Sequence, residues 1–91
     1  MNRDELIAAL EAKYPQAFRT SEEFNGSEGG IWTSGEDGTT EDGMEIFDFY
    51  SQDGGSSSYT FGVLNSLHNY LKEHGWYCDW NDPGTIMIWE A

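Results

Sequence analysis

Residues 75–89, Gly75-Trp76-Tyr77-Cys78-Asp79-Trp80-Asn81-Asp82-Pro83-Gly84-Thr85-Ile86-Met87-Ile88-Trp89, decide the fold of this chain. Runs of aromatic and aliphatic residues occupy 76–80 and 85–89, and a cluster of turn-forming residues separates them. Pro83 and Gly84 suit the two central positions of a type II turn, because glycine readily adopts the positive φ that the second position requires. The segment therefore predicts an antiparallel β-hairpin.

A helix is predicted immediately before this hairpin. Its apolar side chains recur at helical spacing, and they are Val63, Leu64, Leu67, Tyr70 and Leu71. Gly75 lies where a C-cap glycine belongs, and Lys72 falls in the last turn, where a cation suits the helix dipole. Residues 52–58 form a polar linker in front of the helix, and we expect Ser57 or Ser58 to cap its N-terminus.

A second hairpin is predicted in the middle of the chain. Residues 31–33 and 44–50 favour strands, and the segment between them is rich in glycine and other turn-forming residues. Two strands joined in this way form an antiparallel hairpin with a long tip. Apolar residues occur on both faces of the strand 44–50, so the alternation leaves open which face is buried.

The first predicted element is a helix over residues 3–14. Asn2 can cap it, and Glu5 completes a capping box. Pro15 ends it, because the residue before a proline is driven out of the helical region. The apolar stripe of this helix consists of Leu6, Ile7, Leu10 and Tyr14.

The order helix, hairpin, helix, hairpin predicts an α+β fold. We expect a four-stranded, mostly antiparallel sheet with both helices covering one of its faces. The 91 residues are enough for a single domain with one modest core.

Charge is the strongest feature of the composition. The chain has 17 acidic and 4 basic residues, a formal net charge of -13, and no basic residue between Arg19 and Lys72. Coulomb repulsion therefore excludes direct binding to nucleic acid and to anionic membranes. A charged partner of this protein is expected to present a basic surface.

The candidate partner-binding residues are acidic side chains in and beyond the predicted first hairpin. They are Glu36, Asp37, Glu41, Asp42, Glu45, Asp48 and Asp53. Carboxylates two residues apart on a strand are separated by roughly 6.6 Å, a spacing comparable with that of successive phosphates on DNA. The pattern predicts mimicry of a nucleic acid, and the alternative is that the charge serves solubility alone.

The four tryptophans are a second set of candidate binding residues. Trp32, Trp76, Trp80 and Trp89 could stack against ligands, but tryptophans on strands more often fill a core. Trp76 and Trp89 are therefore expected in the core. Trp80 lies beside the predicted turn, so we expect it to be exposed and available to a partner.

Neither catalysis nor metal binding is expected. His68 and His74 are the only histidines, and no nucleophile motif accompanies them. His74 and Cys78 fall short of the four ligands of a structural zinc site. The acidic residues 36–42 lack the register of a calcium loop. The interpretation is a protein that is not an enzyme and that has no cofactor.

The sequence also favours a location inside the cell. One cysteine cannot form an internal disulfide, the first residues lack the plan of a signal peptide, and no apolar run reaches ~18 residues. We therefore expect a soluble cytoplasmic protein, in the host cytoplasm if the protein is viral.

Three segments resemble small uncharacterised proteins encoded by bacteriophages: residues 30–38, residues 61–63 and residues 75–85. In size and acidity the chain is also similar to phage anti-restriction and anti-CRISPR proteins, which often act as DNA mimics. These likenesses imply an inhibitor of a host nucleic-acid enzyme. The alternative is a non-enzymatic accessory or interaction module that uses an apolar, aromatic contact surface.

Overall fold

The computed structural model describes residues 1–36, 38–40, 43–49 and 58–91. The elements in chain order are α1 (Arg3–Lys13), β1 (Arg19–Thr20), α2 (Ser21–Asn25), β2 (Ile31–Ser34), β3 (Tyr59–Thr60), β4 (Val63–Leu64), α3 (Asn65–Glu73), β5 (Trp76–Asp82) and β6 (Thr85–Glu90). None of the helices in these described segments has the length and hydropathy of a bilayer-spanning segment.

The main sheet has the strand order β1-β2-β6-β5, and every neighbouring pair is antiparallel. This confirms the predicted α+β fold with a four-stranded antiparallel sheet. β6 lies in the centre, and its residues Ile86, Met87 and Ile88 are buried. β3 and β4 form a separate two-stranded sheet.

The β5–β6 hairpin is confirmed, with Trp76 opposite Glu90 and Asp82 opposite Thr85. The predicted type II turn is wrong, because Gly84 lacks the positive φ that this turn requires. Instead the carboxylate of Asp82 accepts a hydrogen bond from the backbone N–H of Gly84 at 2.9 Å. An aspartate that bonds to the backbone two residues later stabilises a turn without a left-handed residue.

The predicted first hairpin is wrong. β2 pairs with β1 and β6, and residues 44–49 make only isolated bridges, Thr39 with Glu45 and Phe47 with Val63. The reason lies in Ile46 and Phe47, which are adjacent in sequence and both buried. A half-buried strand buries alternate residues only, so this segment packs into the core instead of lying along the sheet.

Helix α1 is confirmed nearly to the residue. Asn2 and Glu5 form the predicted capping box, with Glu5 N donating to Asn2 Oδ1 at 2.8 Å. The helix ends at Lys13, and Tyr14 is extended in front of Pro15.

Helix α3 is confirmed over most of its length but begins at Asn65, two residues later than predicted. Val63 and Leu64 form β4 instead, because a tight turn pairs them with β3. No side chain caps α3: Leu64 occupies the N-cap position, so a serine cap at 58 is wrong, and Ser57 lies outside the described residues.

The core lies between the two longer helices and one face of the sheet. It contains Leu6 and Leu10 of α1, Leu67 and Leu71 of α3, and sheet residues that share a face by register, namely Ile31, Trp76, Ile86 and Ile88. Both helices therefore cover the same face, as predicted. The turn segment that carries Ile46 and Phe47 closes the same core.

The opposite face of the sheet is aromatic. Trp32 pairs with Met87, and Tyr77 pairs with Trp89, so all four side chains share this face. The core prediction is confirmed for Trp76, which is 3% exposed, and is wrong for Trp89, which is half-buried on the opposite face. A Cβ at Gly30 would overlap the Trp89 ring, so glycine allows this indole to lie against the backbone.

Candidate functional site

Three of the predicted partner-binding carboxylates line one cavity. Glu36, Glu45 and Asp48 lie around a shallow depression of about 180 Å³, together with Gly35, Phe47, Phe49 and Pro83. These seven residues are called the acidic cleft below. Four further predicted residues, Asp37, Glu41, Asp42 and Asp53, lie outside the described residues.

The first wall of the acidic cleft is the end of β2. Gly35 N donates to Gly84 O at 2.9 Å, which holds residues 35–36 against the β5–β6 turn. A Cβ at Gly35 would lie 2.8 Å from the Trp80 ring, so a larger residue would displace this wall. Glu36 is exposed, and its backbone N–H donates to Ser34 Oγ at 3.2 Å.

The second wall is the segment 44–49, which backbone hydrogen bonds fix on both sides. Ile46 N donates to Gly38 O at 3.1 Å, and Leu64 N donates to Ile46 O at 2.9 Å. Asp48 N donates to Gly62 O at 2.7 Å. Because Ile46 and Phe47 are anchored in the core, Glu45 and Asp48 on either side of them are held at the cleft.

Trp80 supports the cleft from below and is half-buried, contrary to the expectation that it is exposed. Its Nε1 donates to Phe61 O at 2.7 Å. Its ring meets Phe47 and Phe49 edge-on, with centroid distances of 6.1 and 5.2 Å. These contacts make Trp80 a residue that positions the cleft walls, a role that its place beside a turn did not indicate.

Tyr59 is a member of this region that the sequence did not indicate. Its hydroxyl donates to Glu45 O at 2.7 Å. Partial burial raises the pKa of Tyr59, and the negative charges of Glu45 and Asp48 raise it further. The carboxylates of the acidic cleft therefore act together on a neighbouring titratable group.

Exposed carboxylates also occur elsewhere on the molecule. Asp4 and Glu11 lie on α1, Glu73 lies on α3, and Asp79 lies on β5. The salt bridge recorded between described residues joins Arg3 and Glu22 at 2.7 Å. What distinguishes Glu36, Glu45 and Asp48 is that separate segments bring them to one cavity.

A second cavity, of about 530 Å³, has the opposite character. It is lined by Pro15, Gln16, Ala17, Arg19, Trp32 and Ser34, and none of the predicted binding residues belongs to it. Its charged side chain is a cation, so it does not extend the acidic surface.

The described residues offer little for chemistry. They contain no group of three or more His, Cys, Asp or Glu side chains placed to hold a metal ion. Burial raises the pKa of Cys78 to about 12, so its thiol stays protonated at neutral pH and is a poor nucleophile.

Comparisons with protein-family models, with curated proteins and with solved structures gave no match. The function is therefore argued from the cleft and its surroundings.

Proposed function

We propose that this protein is a non-enzymatic binding protein that inhibits a basic, nucleic-acid-binding host protein by occupying its cationic surface. The acidic cleft is the proposed contact. One observation carries the proposal: two separate segments, 35–36 and 45–48, place Glu36, Glu45 and Asp48 around a single cavity.

The mechanism follows from electrostatics. A net charge of -13 steers the protein toward a cationic surface and makes association fast and dependent on ionic strength. On contact the grouped carboxylates replace phosphates as counter-charges of the lysines and arginines on the partner, and they release the same bound ions that DNA would release.

The spatial form of the mimicry differs from a row along a strand. Ile46 and Phe47 are buried, so the segment between Glu45 and Asp48 cannot present a regular line of carboxylates. The proposal accordingly rests on grouped charge fixed by backbone contacts. The likeness of several segments to phage proteins favours a phage origin and action in the host cytoplasm on a restriction, CRISPR or related nucleic-acid enzyme.

The test compares two triple variants with the same change in charge. E36Q/E45Q/D48N neutralises the acidic cleft, and E28Q/E73Q/E90Q neutralises exposed carboxylates elsewhere. The immobilised protein is used to isolate partners from bacterial lysate by elution with salt, and the affinity of the purified partner is then measured for each variant. We expect the cleft triple to abolish binding and the control triple to weaken it only slightly.

Equal losses in the two triples would show that only the net charge matters, and this would contradict the proposal. Affinity that does not fall between low and moderate salt would contradict it as well.

The aromatic sheet face supports a second candidate function, a protein-interaction module whose acidity serves solubility. Tyr77 is 49% exposed on this face, beside Trp89 and Met87. If this function is correct, Tyr77→Ala removes binding, whereas the cleft triple and added salt leave the affinity unchanged.

A further inference from the structure

Phe61 is the most unusual residue beside the acidic cleft. It is 69% exposed and has a φ of +52°, and it is the one non-glycine residue with positive φ among the described parts of the chain. It lies in the two-residue loop between β3 and β4, where Gly62 also has a positive φ of +76°. Two left-handed central residues define a type I′ turn, which favours Asn, Asp or Gly at the position of Phe61.

The contacts of the turn do not explain why phenylalanine is present. Phe61 O accepts the hydrogen bond from Trp80 Nε1, and Gly62 O accepts the one from Asp48 N, each at 2.7 Å. Both contacts are made by backbone carbonyls, so any residue at position 61 would make them. The bulky side chain therefore gains neither burial nor a favoured backbone conformation.

A residue that opposes the local backbone preference and gains no packing in return is a candidate functional residue. Position strengthens this reading, because the turn borders the acidic cleft. Gly62 contacts the backbone of Asp48 so closely that a Cβ at position 62 would overlap the Asp48 carbonyl. Trp80 touches both Phe61 and the cleft residue Phe49.

We infer that Phe61 is the apolar anchor of the partner-binding surface. Resting on the proposed function, the inference adds the chemistry of the partner site: an apolar pocket that accepts an aromatic ring, surrounded by lysine or arginine side chains that pair with Glu36, Glu45 and Asp48. Aromatic anchors of this kind dominate binding when polar contacts around them exclude water. Because the turn is fixed before binding, little conformational entropy is lost when the ring inserts.

The experiment uses two synthetic peptides with blocked ends. One contains a leucine between two pairs of arginines, and the other has glycine in place of the leucine. Each is titrated into isotopically labelled protein, and affinity and contact residues are read from backbone amide shifts. We expect the leucine peptide to bind about threefold to tenfold more tightly, because its side chain is partly buried against Phe61.

Variants separate the two levels of the proposal. Phe61→Asn suits the type I′ turn and should bind both peptides equally, at the affinity of the glycine peptide. E36Q/E45Q/D48N should weaken both peptides in parallel while the preference for leucine remains. Tyr77→Ala, an exposed aromatic on the opposite sheet face, should change neither affinity.

The outcomes are distinct. If Phe61→Asn keeps the preference for leucine while the cleft triple still weakens both peptides, Phe61 is not the anchor, and the proposed function stands. If neither peptide binds at the cleft, both proposals fail. If the wild type forms a dimer that Phe61→Asn dissociates, the ring serves self-association and the inference is overturned.

Discussion

Phe61 and Gly62 both adopt left-handed backbone conformations, and the molecule treats the two positions differently. At position 61 a left-handed conformation costs an ordinary residue ~1–2 kcal/mol, and nothing crowds the side chain, which points into solvent. At position 62 the conformation suits glycine, but the Asp48 carbonyl and the Trp80 ring leave no room for a Cβ. Position 61 therefore has a conformational cost and position 62 has a steric limit.

Phe61→Asn is expected to raise the free energy of unfolding by about 1 kcal/mol, because asparagine tolerates the left-handed region and Asn-Gly is a preferred type I′ pair. Equilibrium denaturation in urea measures the change. The matched variant Tyr77→Asn removes another exposed aromatic, from a strand, and should not stabilise the protein. A Phe61→Asn variant less stable than the wild type would show that the ring contributes to packing.

Gly62→Ala is expected to destabilise the protein more than Gly26→Ala does. Both glycines have positive φ, +76° and +81°, but a Cβ at Gly26 has nothing within 4 Å, whereas one at Gly62 meets the Asp48 backbone. Gly26→Ala should cost ~1–2 kcal/mol for the backbone alone, and Gly62→Ala should cost at least about 1 kcal/mol more. Equal losses in denaturant unfolding would mean that the segment 44–49 yields without cost.

At the scale of elements, the β5–β6 turn couples the sheet to pH. The hydrogen bond from Gly84 N to its carboxylate lowers the pKa of Asp82 from its ordinary value of 3.8. The folded state thus holds the charged form at a pH where the unfolded chain already binds a proton. The resulting stabilisation is fully present above the ordinary pKa and is lost as the pH falls through the lower folded value.

Asp82→Asn should therefore be less stable than the wild type near neutral pH, and the difference should shrink as the pH falls below about 4. Unfolding free energies measured from pH 6 to pH 2.5 test this expectation. Asp4→Asn, at an exposed aspartate of α1, gives the comparison for loss of a carboxylate without a turn contact. A difference between Asp82→Asn and the wild type that stays constant through this range would contradict the assignment.

The elements differ in how far the sequence could predict them. α1 and the β5–β6 hairpin depend on neighbours close in sequence, a capping box and a Pro-Gly turn, so local patterns were sufficient. The partner of β2 is β6, with Ile31 opposite Ile88, and no local pattern encodes such a distant pairing. The candidate site divides in the same way: the acidic residues were evident, but Tyr59 and Phe61 matter only through a turn that alternation cannot predict.

At the scale of the whole molecule, negative charge opposes compaction. With 17 acidic residues and 4 basic ones, the folded state concentrates repulsion that the unfolded chain relieves by expanding. Added salt screens this repulsion, since the Debye length falls from about 30 Å at 0.01 M to about 3 Å at 1 M.

The melting temperature should therefore rise by several degrees between ~0.01 M and ~0.5 M sodium chloride, whereas binding to a basic partner should weaken over the same range. Thermal unfolding followed by circular dichroism measures the first change. Sodium chloride is preferable to sulfate, which also strengthens apolar burial. A melting temperature that stays constant or falls with salt would show that repulsion does not limit stability.

The central position of β6 has a consequence for synthesis in the cell. β6 joins β2 to β5 and is followed in this sequence by Ala91 alone. During translation the ribosome releases β2 long before β6 emerges, so nascent β2 spends most of synthesis without its central neighbour. The sheet is therefore completed after translation rather than during it, and a chain that stalls before Thr85 would leave the tunnel with an unpaired strand that chaperones or proteases could recognise.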